Sequence, residues 1–214
     1  MVQPLSYWDD YYQTQKETSF FNPSQFAVFV LDEMKERTLI YDIGCGNGRD
    51  SFFFAQAGHC VIGIDKSNMA IEKCRTIESM LLRKFSLDTN FINMSLEAAL
   101  TDDQLVKHKR FLPRLVYSRF FLHAITDEEE RGFLKLVACL CHTGDMLAVE
   151  FRTVRDSMQK KITQNHYRRF LNSLDTVERL AQHGFKPNYF IEGFGFAKYH
   201  EDDAYVARCI LEKR

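Results

Sequence analysis

TLIYDIGCGNGRDSFFFAQA, residues 38–57, holds the transition around which the chain is built. An apolar, β-favouring run (Leu39, Ile40, Tyr41) leads through three alternating glycines, Gly44, Gly46 and Gly48, into helix-forming sequence. A strand, a glycine turn and a helix in that order form the first half of a nucleotide-binding βαβ unit. The glycines let the backbone take positive φ and come close to a ligand where a Cβ would clash. A pyrophosphate fingerprint would place its third glycine at position 49, which is Arg49. Asp42 and Asp50 flank the loop, and carboxylates there repel a dianion and attract a cation.

S-adenosylmethionine carries a sulfonium and an ammonium, so it suits such a loop better than a dinucleotide. The next stretch, HCVIGIDKSNMAIEKC (59–74), reads as a second strand over Cys60–Ile64, ending at Asp65, with Ser67 as N-cap of a helix. An acid at the tip of the second strand can accept both ribose hydroxyls of an adenosine. On these residues the chain resembles the class I S-adenosylmethionine-dependent methyltransferases. DIGCGNGRD looks like their first motif and IDKS like their second. The resemblance implies an α/β, Rossmann-like three-layer sandwich whose seven-stranded, mostly parallel sheet ends in an antiparallel strand. It implies S-adenosyl-L-methionine as cofactor and S-adenosyl-L-homocysteine as product; no metal is expected, since Cys139 and Cys141 at i, i+2 cannot share a helix face. The cofactor residues the resemblance marks are Asp42, Gly44, Cys45, Gly46, Asn47, Gly48, Asp50, Asp65 and Lys66, with Ser95 and Ser118 at later strand ends. Related enzymes often carry an acid near Ser95 to meet the adenine amino group; this chain departs from that pattern.

At 214 residues the chain fits one methyltransferase domain, 1–214, with an N-terminal helical cap (1–36) and a Rossmann-like core (37–212). Hydrophobic residues make up 45%, which excludes wholesale disorder. Lys and Arg number 28 against 29 Asp and Glu, so global charge gives no argument for nucleic acid or an anionic membrane. The six cysteines lack CxxC spacing and fall mostly in apolar runs, as reduced core residues do. No signal peptide opens the chain and no apolar run reaches membrane-spanning length, so a cytoplasmic protein without membrane insertion is expected.

Along the chain, Ser24 reads as an N-cap, and Ala70, Cys74, Ile77, Leu81 and Phe85 form a helical core stripe. Thr126 and Glu129 make a capping-box signal, while Asp175 and Glu178 suggest a later helix start. Lys186–Glu192 and Ala204–Leu211 read as two strands separated by GFGFAKYHEDD. The aromatics Tyr11, Tyr12 and Phe26 either pack an extra helical layer or close over the cofactor, with Tyr11 reaching the acceptor. The charged stretch 152–170 reads as a mobile lid.

In an open parallel sheet the ligand lies beyond the carboxyl ends of the strands. That rule gathers Arg119, His123, Arg152, His166, Arg169 and Tyr199, together with Tyr11, as acceptor-binding residues. A basic rim on a nearly neutral protein suggests a small anionic acceptor, phosphate- or carboxylate-bearing and possibly sugar-linked, methylated on oxygen. A hydroxyl would need a base, for which His123 and His166 are the candidates. The blander reading is that Arg119 and Arg152 simply pair with Glu128, Glu150 or Asp156. RFFLHA, EFR, HYRRF and GFGFAKY resemble methyltransferases associated with bacterial surface-polysaccharide modification, which implies polysaccharide biosynthesis. The alternatives are a neutral glycan hydroxyl, a soft nucleophile such as tellurite or a thiol, or a non-catalytic cofactor-binding regulatory subunit. Oligomeric state stays open.

Overall fold

The computed structural model describes residues 6–14, 22–106, 112–159, 167–199 and 201–214. The LIYDI run forms β1 (Leu39–Ile43), with every residue buried. Around it assemble β2 (Cys60–Asp65), β3 (Asp88–Asn93), β4 (Arg114–Arg119) and β5 (Met146–Arg152). A long hairpin, β6 (Phe185–Tyr199) and β7 (Asp202–Lys213), completes the sheet. The order is β3-β2-β1-β4-β5-β7-β6. β1 to β5 pair in parallel, whereas β7 runs antiparallel to both β5 and β6. The expected seven-stranded sheet with an antiparallel last strand is therefore present.

The central strands are apolar on both faces, as strands covered by helices must be. Tyr41, Ile43, Val116 and Val149 face α5 (Leu96–Thr101), α7 (Asp127–Leu140) and α8 (Ser173–Gln182). Ile40, Val61, Leu115 and Tyr117 face α2 (Gln25–Glu33) and α3 (Arg49–Gln56). α4 (Asn68–Leu81) packs its stripe, Ile71, Cys74, Ile77 and Leu81, with Phe52 and Phe91. Among the described residues, the remaining α-helices are α1 (Ser6–Thr14) and the single turn α6 (Asp103–Val106), and two 3-10 turns lie at Leu122–Ala124 and Val154–Asp156. The three consecutive phenylalanines diverge: Phe52 enters the α4 cluster while Phe54 enters the α2 cluster.

Ser24, Ser67 and Thr126 all act as N-caps, and Thr126 forms the reciprocal capping box with Glu129. Three expectations need correction. α8 begins at the cap Asn172, whose side chain accepts from the Leu174 and Asp175 N–H groups, not at Asp175 or Glu178. Phe85 lies past the end of α4 and is 46% exposed, so the core stripe stops at Leu81. GFGFAKY is not a connector but the second half of β6. A register shift between Gly193 and Ala197, with Gly195 at φ 81°, lets the hairpin continue past the irregularity. No helix among the described residues is long and apolar enough to cross a membrane.

Candidate active site

A cavity of about 440 Å³ opens beyond the carboxyl ends of β1, β2, β4 and β5. The glycine loop forms its floor. Gly44 and Cys45 donate to the Ile64 carbonyl at 2.8 and 3.1 Å, which ties the loop to the tip of β2. Gly44 (φ 74°) and Gly46 (φ 56°) both occupy the left-handed region. A Cβ at Gly44 would lie 2.3 Å from Phe121 Cδ2, and one at Gly46 would lie 2.3 Å from the Tyr12 hydroxyl. Neither position admits a side chain, for reasons of space as well as backbone conformation.

The acids diverge in role. Asp65 accepts from the N–H groups of Gly46 (2.9 Å) and Ser67 (2.8 Å), one on each oxygen. Burial nonetheless pushes its carboxyl above the ordinary range. Asp42 accepts from Ser51 Oγ at 2.5 Å, and burial, reinforced by Asp50 and Asp65, pushes it up to about 7. A cation in the cavity would stabilise the ionised form of both. Asp50 is held by Ser24 N (2.8 Å), Ser24 Oγ (2.7 Å) and the Tyr117 hydroxyl (2.8 Å). Burial alone would raise it, but Arg119, Arg49 and those donors outweigh burial and hold it below the carboxylate range. Asp50 therefore fastens α2 to α3 and β4 besides lining the cavity.

Cys45, Asn47 and Lys66 also line the cavity, and Lys66 pairs with Glu129 at 3.0 Å. Gly46 is covered by Tyr12, and Gly48 starts α3. Ser95 and Ser118 do not line it. Ser95 is exposed and caps α5, and Ser118 Oγ donates to the Ile43 carbonyl at 2.9 Å.

The acceptor side is less basic than its sequence suggests. Glu150, fully buried on β5, meets Arg119 Nε at 2.8 Å and Arg208 Nε at 2.6 Å. The Arg152 guanidinium contacts Asp156 at 2.7 Å and Asp202 at 2.9 Å. The blander ion-pair reading thus holds for both Arg119 and Arg152, and the fork of Arg152 is already spent on carboxylates. Arg169 turns away from the cavity to Asp127, Glu130 and the Leu122 carbonyl. Arg155 lies on the exposed face beside Glu192 and Tyr205. Arg168 does line the cavity, where burial and the neighbouring Arg152 charge make its own charge less favourable.

His123 is buried with Nδ1 accepting the Arg152 backbone N–H at 3.2 Å. In a neutral imidazole this places the proton on Nε2, which makes that nitrogen a donor and not a base. His166 lies outside the described residues, as does the side chain of Tyr199. Phe120 is the one non-glycine residue at positive φ (55°) among those described. Its ring carries the Arg119 guanidinium at 4.3 Å and that of Arg152 at 5.5 Å. A bulky residue strained in this way is expected at a functional site.

The last wall is α1. Tyr7, Trp8, Tyr11 and Tyr12 all line the cavity, joined by ring contacts such as Tyr11–Tyr12 at 5.2 Å. Phe26 instead belongs to the core, stacked on Tyr117 at 5.5 Å. The sequence reading singled out Tyr11 and Tyr12 as aromatics that could close over the cofactor, but it missed Tyr7, Trp8, Phe120, Phe121 and Asp202. An aromatic, acidic segment ahead of a glycine loop is the signal that marks the first two. Nothing local separates Arg168 from Arg169, since only packing against α7 sends one outward.

Residues 40–144 match the family model described as a methyltransferase domain. No curated protein sequence matches the chain. Among solved structures, it is similar to a TehB-like S-adenosylmethionine-dependent methyltransferase from Corynebacterium glutamicum. That pair has 13% identity and a TM-score of 0.69, covering 99% of this chain and 100% of that one. A second, from Anabaena variabilis, has 18% identity and a TM-score of 0.69, covering 98% and 93%. A third is magnesium protoporphyrin IX methyltransferase from Synechocystis, solved with bound S-adenosylmethionine. It has 19% identity and a TM-score of 0.63, covering 88% and 76%.

Proposed function

Starting from a chain that is a class I S-adenosylmethionine-dependent methyltransferase, we propose that its acceptor is a small anion whose nucleophilic atom arrives without a proton to lose. The observation that carries this reading is the His123 imidazole, whose Nδ1 already accepts the Arg152 N–H. It leaves His123 as a donor, able to orient an anionic oxygen but not to deprotonate a hydroxyl. Methyl transfer from a sulfonium is an in-line displacement, so orientation and exclusion of water supply most of the catalysis. Phe120, Phe121 and the α1 aromatics supply the walls, and Arg168 supplies the countercharge.

In this reading Asp65 takes the ribose hydroxyls and Asp42 faces the ammonium of the cofactor, while Gly44, Cys45 and Asn47 form the floor. Lys66 stands at the rim. The whole chain acts as one domain with residues 1–36 as its cap. A soft nucleophile such as a thiolate satisfies the same condition and is the second reading. The methyltransferase family match carries no acceptor class, so it lends nothing to the polysaccharide association.

The test is an acceptor screen with purified protein over carboxylates, phosphorylated sugars, thiols and neutral glycans. With an anionic acceptor, His123→Ala should keep kcat within roughly ten-fold, whereas loss of a general base costs about 10²–10⁴. Arg168→Ala should raise KM for the acceptor with little change in cofactor affinity. Turnover of neutral hydroxyls alone, abolished by His123→Ala, would overturn the reading.

A further inference from the structure

We propose that Asp9 is a positioning residue that latches α1 over the cofactor cleft by binding the first turn of α4. Asp9 Oδ1 accepts from Ser67 Oγ at 2.5 Å and from the Met69 N–H at 3.3 Å. Ser67 is shared with the cofactor side. Its own N–H donates to Asp65 at 2.8 Å, and the other Asp65 oxygen accepts from Gly46 at 2.9 Å. A hydrogen-bonded chain therefore runs from the covering helix through Ser67 and Asp65 to the glycine loop. The same helix touches that loop a second time, where the Tyr12 hydroxyl sits against Gly46.

A nine-residue helix is too short to persist without tertiary contacts. These two attachments, with the aromatic packing, decide whether α1 lies over the cavity. The Asp9 carboxylate suits the N-terminal end of α4, where backbone N–H groups favour negative charge. It also stands close enough to Asp65 to disfavour ionisation of that acid. Bringing the helix down thus adds negative charge beside the position where a cationic cofactor is read to bind, so cofactor and latch favour each other.

The inference rests on the cofactor reading of the cleft, and the experiment separates the two. Trp8, the single tryptophan of the chain, lies on α1 and reports its state directly. In ligand-free Asp9→Ala, Trp8 emission should shift to longer wavelength and become more accessible to acrylamide. S-adenosylhomocysteine should dissociate on the order of ten-fold faster, as expected for losing hydrogen bonds to a charged acceptor. Asp9→Asn keeps an acceptor oxygen for Ser67 and Met69 and should lie nearer the wild type in both readouts. Unchanged Trp8 quenching together with unchanged dissociation in Asp9→Ala overturns the latch. So does a lowered melting temperature with unchanged quenching, which would make Asp9 merely structural. A wild-type protein that fails to bind S-adenosylhomocysteine defeats the cofactor reading instead, while Trp8 quenching in the free variants still decides the latch.

Discussion

With its carboxyl raised to about 7 by burial, Asp42 keeps its proton in the folded protein at a pH where the unfolded chain has released it. Stability from this group is therefore greatest in acid and falls as pH rises from about 4 to about 7. Asp50, held below its ordinary value, acts in the opposite sense and favours folding above the carboxylate range. An ammonium beside Asp42 would favour its ionised form, so cofactor binding below about pH 7 should release a proton. Affinity for S-adenosylmethionine is expected to rise by up to about ten-fold per pH unit toward about 7 and then level off. Calorimetry in buffers of different ionisation enthalpy measures the proton, and Asp42→Asn should reduce its release, Asp65 accounting for what is left. A flat affinity profile with no proton released would remove Asp42 from the ammonium site.

At the scale of the element, the glycine loop and α1 work as one piece. Gly46→Ala introduces a Cβ 2.3 Å from the Tyr12 hydroxyl at a φ of 56°. The expected result is loss of cofactor affinity by roughly ten-fold or more, with Trp8 more open to quencher, because the backbone strain alone amounts to ~1–2 kcal/mol. Adding Tyr12→Ala removes the collision but not the strain. The pair of substitutions should therefore be less than additive in quenching, which a double-mutant cycle reads. Additive effects would mean that helix and loop are independent. The charged stretch 152–170 is anchored at both described ends, by the Thr153–Leu171 bridge and by the Arg169 N–H on the His123 carbonyl at 2.8 Å.

Across the whole molecule, the sheet is locked at its ligand-binding edge by buried charge. Glu150 lies between Arg119 and Arg208 on three neighbouring strands, β4, β5 and β7. Glu150→Gln takes the shared carboxylate from two guanidiniums, leaving Arg208 without its countercharge and Arg119 with only the Asp50 charge, at a cost of about 3–5 kcal/mol. For a chain of this length the melting temperature should fall by on the order of 10 °C. The exposed pair Arg37–Asp88, 2.8 Å apart, gives the contrast: Asp88→Asn should change stability by no more than about 1 kcal/mol. Thermal denaturation of both variants checks the comparison, and equal shifts would refute the role given to Glu150.

The βαβ order, the N-caps Ser24, Ser67 and Thr126 and the acidic glycine loop were legible because each is set by residues close in sequence. Apolar β-favouring runs, cap chemistry and positive φ at glycine are local properties, and the antiparallel end of the sheet came with the family those motifs resemble. The cavity's charge was not legible. Arg152 has Asp202 as a partner only because β7 returns antiparallel beside β5, fifty positions later along the chain. Arg168 and Arg169 are adjacent and chemically alike, and only the packed acids of α7 draw Arg169 out of the site. The same holds for α1: the sequence supplies its aromatics, but the first turn of α4 supplies the donors that seat them. Which charges remain open to a ligand depends on which partners the fold brings within hydrogen-bonding distance, and that is a property of the tertiary structure alone.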